Sequence, residues 1–122
     1  MDEESPMNDT ENASNAASVL YELNDILVSR RSASPQSSYV AQLLHSGKDK
    51  ILKKVIEEAG EVLMASKDGD KNHLVKEVAD LWFHTMVLLT YHQLQVEDVL
   101  IELQRRQYVS GLAEKASRQT EE

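Results

Sequence analysis

Residues 49–84 read DKILKKVIEEAGEVLMASKDGDKNHLVKEVADLWFH, and this stretch decides the fold. From Lys50 to about Ser66, apolar residues recur at Leu52, Val55, Ile56, Ala59, Val62 and Leu63, the spacing of one helical stripe opposite a charged side. Asp49 is the candidate N-cap. Lys67-Asp68-Gly69-Asp70 has the composition of a tight turn, and Asn72 can cap a second helix running to about Tyr91. That second helix is apolar round most of its circumference, a pattern that predicts burial. The short connection predicts an antiparallel hairpin folded at Gly69.

Working outward, Ala16, Leu20, Leu23 and Leu27 predict an earlier amphipathic helix, stopped after Arg30-Arg31 by Ser-rich sequence and Pro35. Ser37 or Ser38 can cap a short helix from Tyr39 to about His45, closed by Gly47. Downstream, Val96, Val99, Leu100 and Leu103 mark a last helix ending near Arg105-Arg106-Gln107, followed by a polar stretch containing Gly111. No segment alternates with the period of a strand. The expected fold is all-α, a bundle of four to five helices over residues 16–118. The acidic, Asn- and Ser-rich residues 1–15 are expected to be a disordered tail, and residues 119–122 a C-terminal tail.

The chain has 122 residues, 41% hydrophobic and 28% charged, which suits one globular domain. With no cysteine, thiolate metal sites, disulfides and cysteine nucleophiles are excluded, so any metal is held by oxygen or imidazole. A net charge of −8 opposes nonspecific nucleic-acid binding, which depends on Lys and Arg neutralising phosphates. No apolar run approaches the length needed to span a bilayer, so no membrane partner is expected and the cytoplasm is the default location.

Two acidic pairs flank the turn, Glu58 with Glu61 and Glu77 with Asp80, each spaced so that both carboxylates leave one helix face. Glu58 and Asp80 each stand eleven residues from Gly69, and Glu61 and Glu77 each stand eight, so a hairpin brings all four to one level. Glu57 falls on the more solvated side. Along the mostly apolar second helix, one narrow line carries His73, Glu77, Asp80, His84 and Tyr91. The bland alternative pairs these acids with Lys50, Lys53, Lys54 and Lys76 on solvated faces. Four clustered carboxylates, however, cost desolvation and mutual repulsion, which a divalent cation relieves. Oxygen ligands favour Mg²⁺, with Mn²⁺ as a substitute, and Mg²⁺ commonly joins carboxylates to substrate phosphates. Cations suited to phosphates lie at Arg30-Arg31, at Lys50 with Lys53 and Lys54, and at Arg105-Arg106 continuing to Lys115 and Arg118. His84, one turn from Asp80, can orient a carboxylate or touch substrate.

The run DKILKKVIEEAGEV at 49–62, KDGD at 67–70, EVAD with LWFH at 77–84, and EDVL at 97–100 through Arg105-Arg106 resemble the phosphoribosyl-ATP pyrophosphatase family. Ser38-Tyr39, Leu43-Leu44 and the tail residues SGL at 110–112 and EKASR at 114–118 are similar to the same family, over about residues 19–118. The acidic pairs alone fit the wider all-α nucleoside-triphosphate pyrophosphohydrolase superfamily; the lysine run and the C-terminal residues narrow it. The resemblance implies hydrolysis of phosphoribosyl-ATP, a small nucleotide, between its α and β phosphates, the second step of histidine biosynthesis. It also implies a homodimer whose helices complete one another's core. Glu58, Glu61, Glu77 and Asp80 would hold Mg²⁺, and Glu57 or Glu61 would position or deprotonate the attacking water. The alternative is a house-cleaning nucleotide pyrophosphohydrolase with the same acids and a different base pocket. A ferritin-like di-iron site would need Glu-x-x-His pairs on two helices, which the chain lacks, and a non-catalytic dimerisation module would leave the acidic line unexplained.

Overall fold

The computed structural model describes residues 9–109 and residue 118. Five α-helices, α1 (Asp9–Ser29), α2 (Tyr39–Ser46), α3 (Lys48–Asp68), α4 (Lys71–Tyr91) and α5 (Val96–Tyr108), follow one another, with a 3-10 turn at Arg30–Ser32. Among the described residues there is no strand, and the all-α expectation holds. No described helix is long and apolar enough to cross a membrane. Helix α1 begins at Asp9, ahead of the expected Ala16, because adding residues to an existing helix costs little once its nucleus is packed. Residues 1–8, the final tail at 119–122 and Lys115 lie outside the described residues.

Local signals set the boundaries. The Ser38 side chain accepts from the Ala41 amide at 3.0 Å and caps α2. Gly47 has φ +104°, where a residue with a Cβ is strained, and it passes the chain directly into α3. Asp49 is therefore inside the first turn of α3 rather than its cap, placed to favour the positive end of the helix dipole. At the hairpin turn Gly69 takes the left-handed conformation, φ +78°, and ends α3. Asp70 then accepts from the His73 amide at 3.1 Å, so it, not Asn72, caps α4.

Leu27 of α1, Val40 and Leu43 of α2, Ile51 of α3, Met86 and Val87 of α4, and Val96 at the start of α5 form the buried core. They come from the first turn of α3 and the last turns of α4, so the core sits at the open end of the hairpin and the turn end projects from it. Much of the apolar stripe of α3 stands exposed: Ile56 is 72% exposed and Leu63 56%, and across the hairpin Val75 is 68% and Trp82 58% exposed. Helix α4, expected to be buried, is covered only over its second half. Periodicity marks a face that shuns water; it does not say which chain covers it.

One polar contact ties the two ends of the fold. Asn24 is 7% exposed; its Nδ2 donates to Gln95 Oε1 at 2.6 Å, and its Oδ1 accepts from the Val96 amide at 2.9 Å. Asn24→Ala strands that buried N–H and is expected to lower stability by about 2 kcal/mol in a urea titration. An unchanged midpoint would show that the contact contributes nothing.

Candidate metal centre

The hairpin brings three of the four acids together. One carboxylate oxygen each from Glu58 on α3 and from Glu77 and Asp80 on α4 lie within 4.8 Å of one another. Glu58 and Glu77 are half-buried and Asp80 is exposed. Two unit charges at that separation repel by about 3 kcal/mol at an effective dielectric of 20. Among the described residues none of the three forms an ion pair with a Lys or Arg. His73 Nε2 lies 3.1 Å from Glu77 Oε1, within hydrogen-bond distance.

Glu61 stands outside this group, exposed and without a hydrogen bond or ion pair among the described residues. Distance from the turn sets height along the hairpin but not the direction in which each side chain extends. Glu57 is exposed and sits 4.0 Å from Lys54, among the described residues the one acid of α3 in an ion pair.

The histidine one turn beyond Asp80 is turned inward. His84 is 6% exposed, its Nδ1 lies 2.8 Å from the Asp80 backbone carbonyl, and its Nε2 lies 2.9 Å from the Tyr39 hydroxyl. A carbonyl only accepts, so His84 Nδ1 donates to it. The ring thus bridges the Asp80 backbone and the Tyr39 hydroxyl. At the start of α2, burial pushes the Tyr39 phenol above its usual value, Lys54 pulls it back, and the charges of Glu58, Glu57 and Asp80 push it up again. It also borders an open polar hollow of about 570 Å³ with Ser37, Ser38 and Gln42. Residue-by-residue reading passed over Tyr39; the Ser38-Tyr39 pair in the family likeness was the available signal.

The cation clusters are dispersed. Lys50 and Lys53 are exposed on α3, Lys54 is half-buried there, and Arg30 is half-buried in the 3-10 turn. Arg118 is exposed. Arg105 and Arg106 close on Glu102 of their own helix, at 2.8 and 3.0 Å. Hydrogen bonds from Arg105 and then Arg106 pull the Glu102 carboxyl down to about 2. A depressed carboxyl favours the folded state above its unfolded value and loses that effect as pH falls through about 2. In full solvent exposure the effect is small.

The fold and the acid group define an all-α protein with a carboxylate centre suited to a hard divalent cation. The sequence profile of the family described as phosphoribosyl-ATP pyrophosphohydrolase matches residues 20–107. Proteins named phosphoribosyl-ATP pyrophosphatase are similar throughout that region. That of Neisseria gonorrhoeae is 71% identical over 101 residues, 83% of this chain and 94% of the relative. That of Chromobacterium violaceum is 70% identical over 100 residues, 82% of this chain and 93% of the relative. That of Nitrosospira multiformis is 57% identical over 100 residues, 82% of this chain and 83% of the relative. The chain belongs to the phosphoribosyl-ATP pyrophosphohydrolase family.

Proposed function

We propose that this protein hydrolyses phosphoribosyl-ATP to phosphoribosyl-AMP and pyrophosphate in histidine biosynthesis, with Mg²⁺ held by Glu58, Glu77 and Asp80. The observation that carries the reading is the group of three acids, unpaired by Lys or Arg among the described residues, in a chain of this family. The donor set fits: three carboxylate oxygens close enough to share one ion, hard ligands for a hard cation, with no cysteine in the chain. When bound, Mg²⁺ supplies charge neutralisation at the phosphates.

The chain's own residues do the rest. A water oxygen bonds to phosphorus as the bond to the oxygen bridging the α and β phosphates breaks, and pyrophosphate leaves with that oxygen. The proton lost by the water passes to a carboxylate. Glu61, one turn from Glu58 and without a partner among the described residues, is better placed to take it than Glu57, which Lys54 engages. Lys50, Lys53 and Lys54 offer charge to the phosphates from the same helix. The exposed apolar side chains of α3 and α4 support a homodimer, because a second copy is the simplest cover for such a face.

Pyrophosphate release from phosphoribosyl-ATP, set beside ATP and a panel of deoxynucleoside triphosphates with and without Mg²⁺, tests the reading. Strong preference for phosphoribosyl-ATP is expected; equal turnover of ordinary triphosphates would favour the house-cleaning activity instead. Mg²⁺ is also expected to raise the melting temperature. The gain corresponds to about 2.7 kcal/mol at 100 times Kd. It should be smaller at pH 5 than at pH 8, because protons compete for the same oxygens. Melting curves indifferent to millimolar Mg²⁺ at both pH values would remove the cation from the site.

A further inference from the structure

We infer that His73 is a positioning residue for the metal centre, which donates to Glu77 and so holds that carboxylate in the attitude in which it meets the ion. The inference rests on the Mg²⁺ site proposed above. Its basis is a contact one turn along α4: His73 Nε2 lies 3.1 Å from Glu77 Oε1. An ionised carboxylate has no hydrogen to give, so the ring nitrogen is the donor, in a neutral ring or a charged one. Two carboxylate oxygens offer about four lone-pair sites, and the histidine occupies one of them. The rest stay open to an ion.

The geometry separates the orienting group from the ligands. The oxygens that come within 4.8 Å of one another belong to Glu58, Glu77 and Asp80, and the imidazole is not among them. Among the described residues, Glu77 is the one of these acids whose carboxylate has a hydrogen-bond partner. That carboxylate swings on three rotatable bonds, and without an ion its neighbours repel it. A hydrogen-bonded outer partner restrains it before the ion arrives, so less freedom is lost on binding. His73 is itself seated. Asp70, which caps α4, accepts from the His73 amide at 3.1 Å, so the imidazole extends from backbone anchored at the hairpin turn. The His73 side chain is 43% exposed and that of Glu77 16%, so the pair adds little to folding and its effect falls on the orientation of the inner partner.

The test titrates Mn²⁺, the stand-in for Mg²⁺, into the full chain without nucleotide at pH 8 and follows the free ion by electron paramagnetic resonance. Wild type is compared with His73→Leu and His73→Ala, which remove the donor and differ in bulk, and with His73→Gln, which keeps an N–H at similar reach. Mn²⁺ binding is expected to weaken about tenfold in the Leu and Ala variants and to stay within about threefold of wild type in the Gln variant. The Mg²⁺ concentration that gives half-maximal pyrophosphate release should rise by the same factor, with kcat recovered at saturating Mg²⁺. Melting without metal should move little in all three, because the substituted side chain stands in solvent. Unchanged affinity in the Leu and Ala variants overturns the inference. So does weakening in only one of them, which makes bulk the cause, or weakening in the Gln variant as large as theirs. A loss of kcat that Mg²⁺ does not recover overturns it too, since His73 then acts on something other than a metal ligand. A wild type that binds no Mn²⁺ removes the proposed metal site and the inference with it, a result distinct from all of these. The Mn²⁺ titration contains no nucleotide, so it holds whichever nucleotide the enzyme prefers.

Discussion

Asp80→Asn is expected to lower turnover of phosphoribosyl-ATP by about a thousandfold, equivalent to about 4 kcal/mol of transition-state stabilisation. The change removes one negative charge from the group of Glu58, Glu77 and Asp80 and keeps the side chain's shape. Stability should be retained, because Asp80 is exposed and its backbone carbonyl still holds His84. Glu61→Gln makes an informative comparison. From sequence alone the two substitutions should be equivalent, since both residues belong to mirrored acidic pairs. With Glu61 outside the group, Glu61→Gln should depress kcat while keeping the Mg²⁺-dependent rise in melting temperature, whereas Asp80→Asn should lose both. Near-normal turnover by Asp80→Asn would end the metal assignment.

The second large effect concerns the face left bare on the hairpin. Ile56→Glu and Trp82→Glu each place a charge where a side chain now stands more than half exposed, so neither should disturb the fold of one chain. If a second copy covers this face, either charge is buried without a partner on association, at several kcal/mol. Sedimentation should then show the wild type as a dimer and both variants as monomers at micromolar concentration. A monomeric wild type, or variants that still pair, would assign the apolar face to something other than self-association.

How far the sequence could be read follows from what kind of information each feature carries. The hairpin was legible because Gly69, the acids and the helical periods are all local. The caps were half legible: Ser38 and Gly47 act as expected, but Asp49 and Asn72 each yielded to a neighbour, because Gly47 and Gly69 redirect the chain one step earlier than side-chain preference alone suggests. The apolar stripe of α3 was legible, but periodicity does not say which chain covers it. Counting from the turn put Glu58, Glu61, Glu77 and Asp80 at one level, of which Glu58, Glu77 and Asp80 come within 4.8 Å of one another; a count gives height along a helix and not the direction of each side chain. The Tyr39–His84 contact joins residues 45 apart in sequence, and no local pattern announces it.

The two-residue link between α3 and α4 acts as a ruler. Everything that aligns Glu58 with Glu77 and Asp80 is counted from Gly69 and Asp70, while the link from α1 to α2 sets no such registry. One residue added at the turn would swing every side chain of α4 by about 100° and slide it about 1.5 Å along the axis. The interval from Glu58 to Asp80 is therefore free to change only by steps that restore both angle and height together.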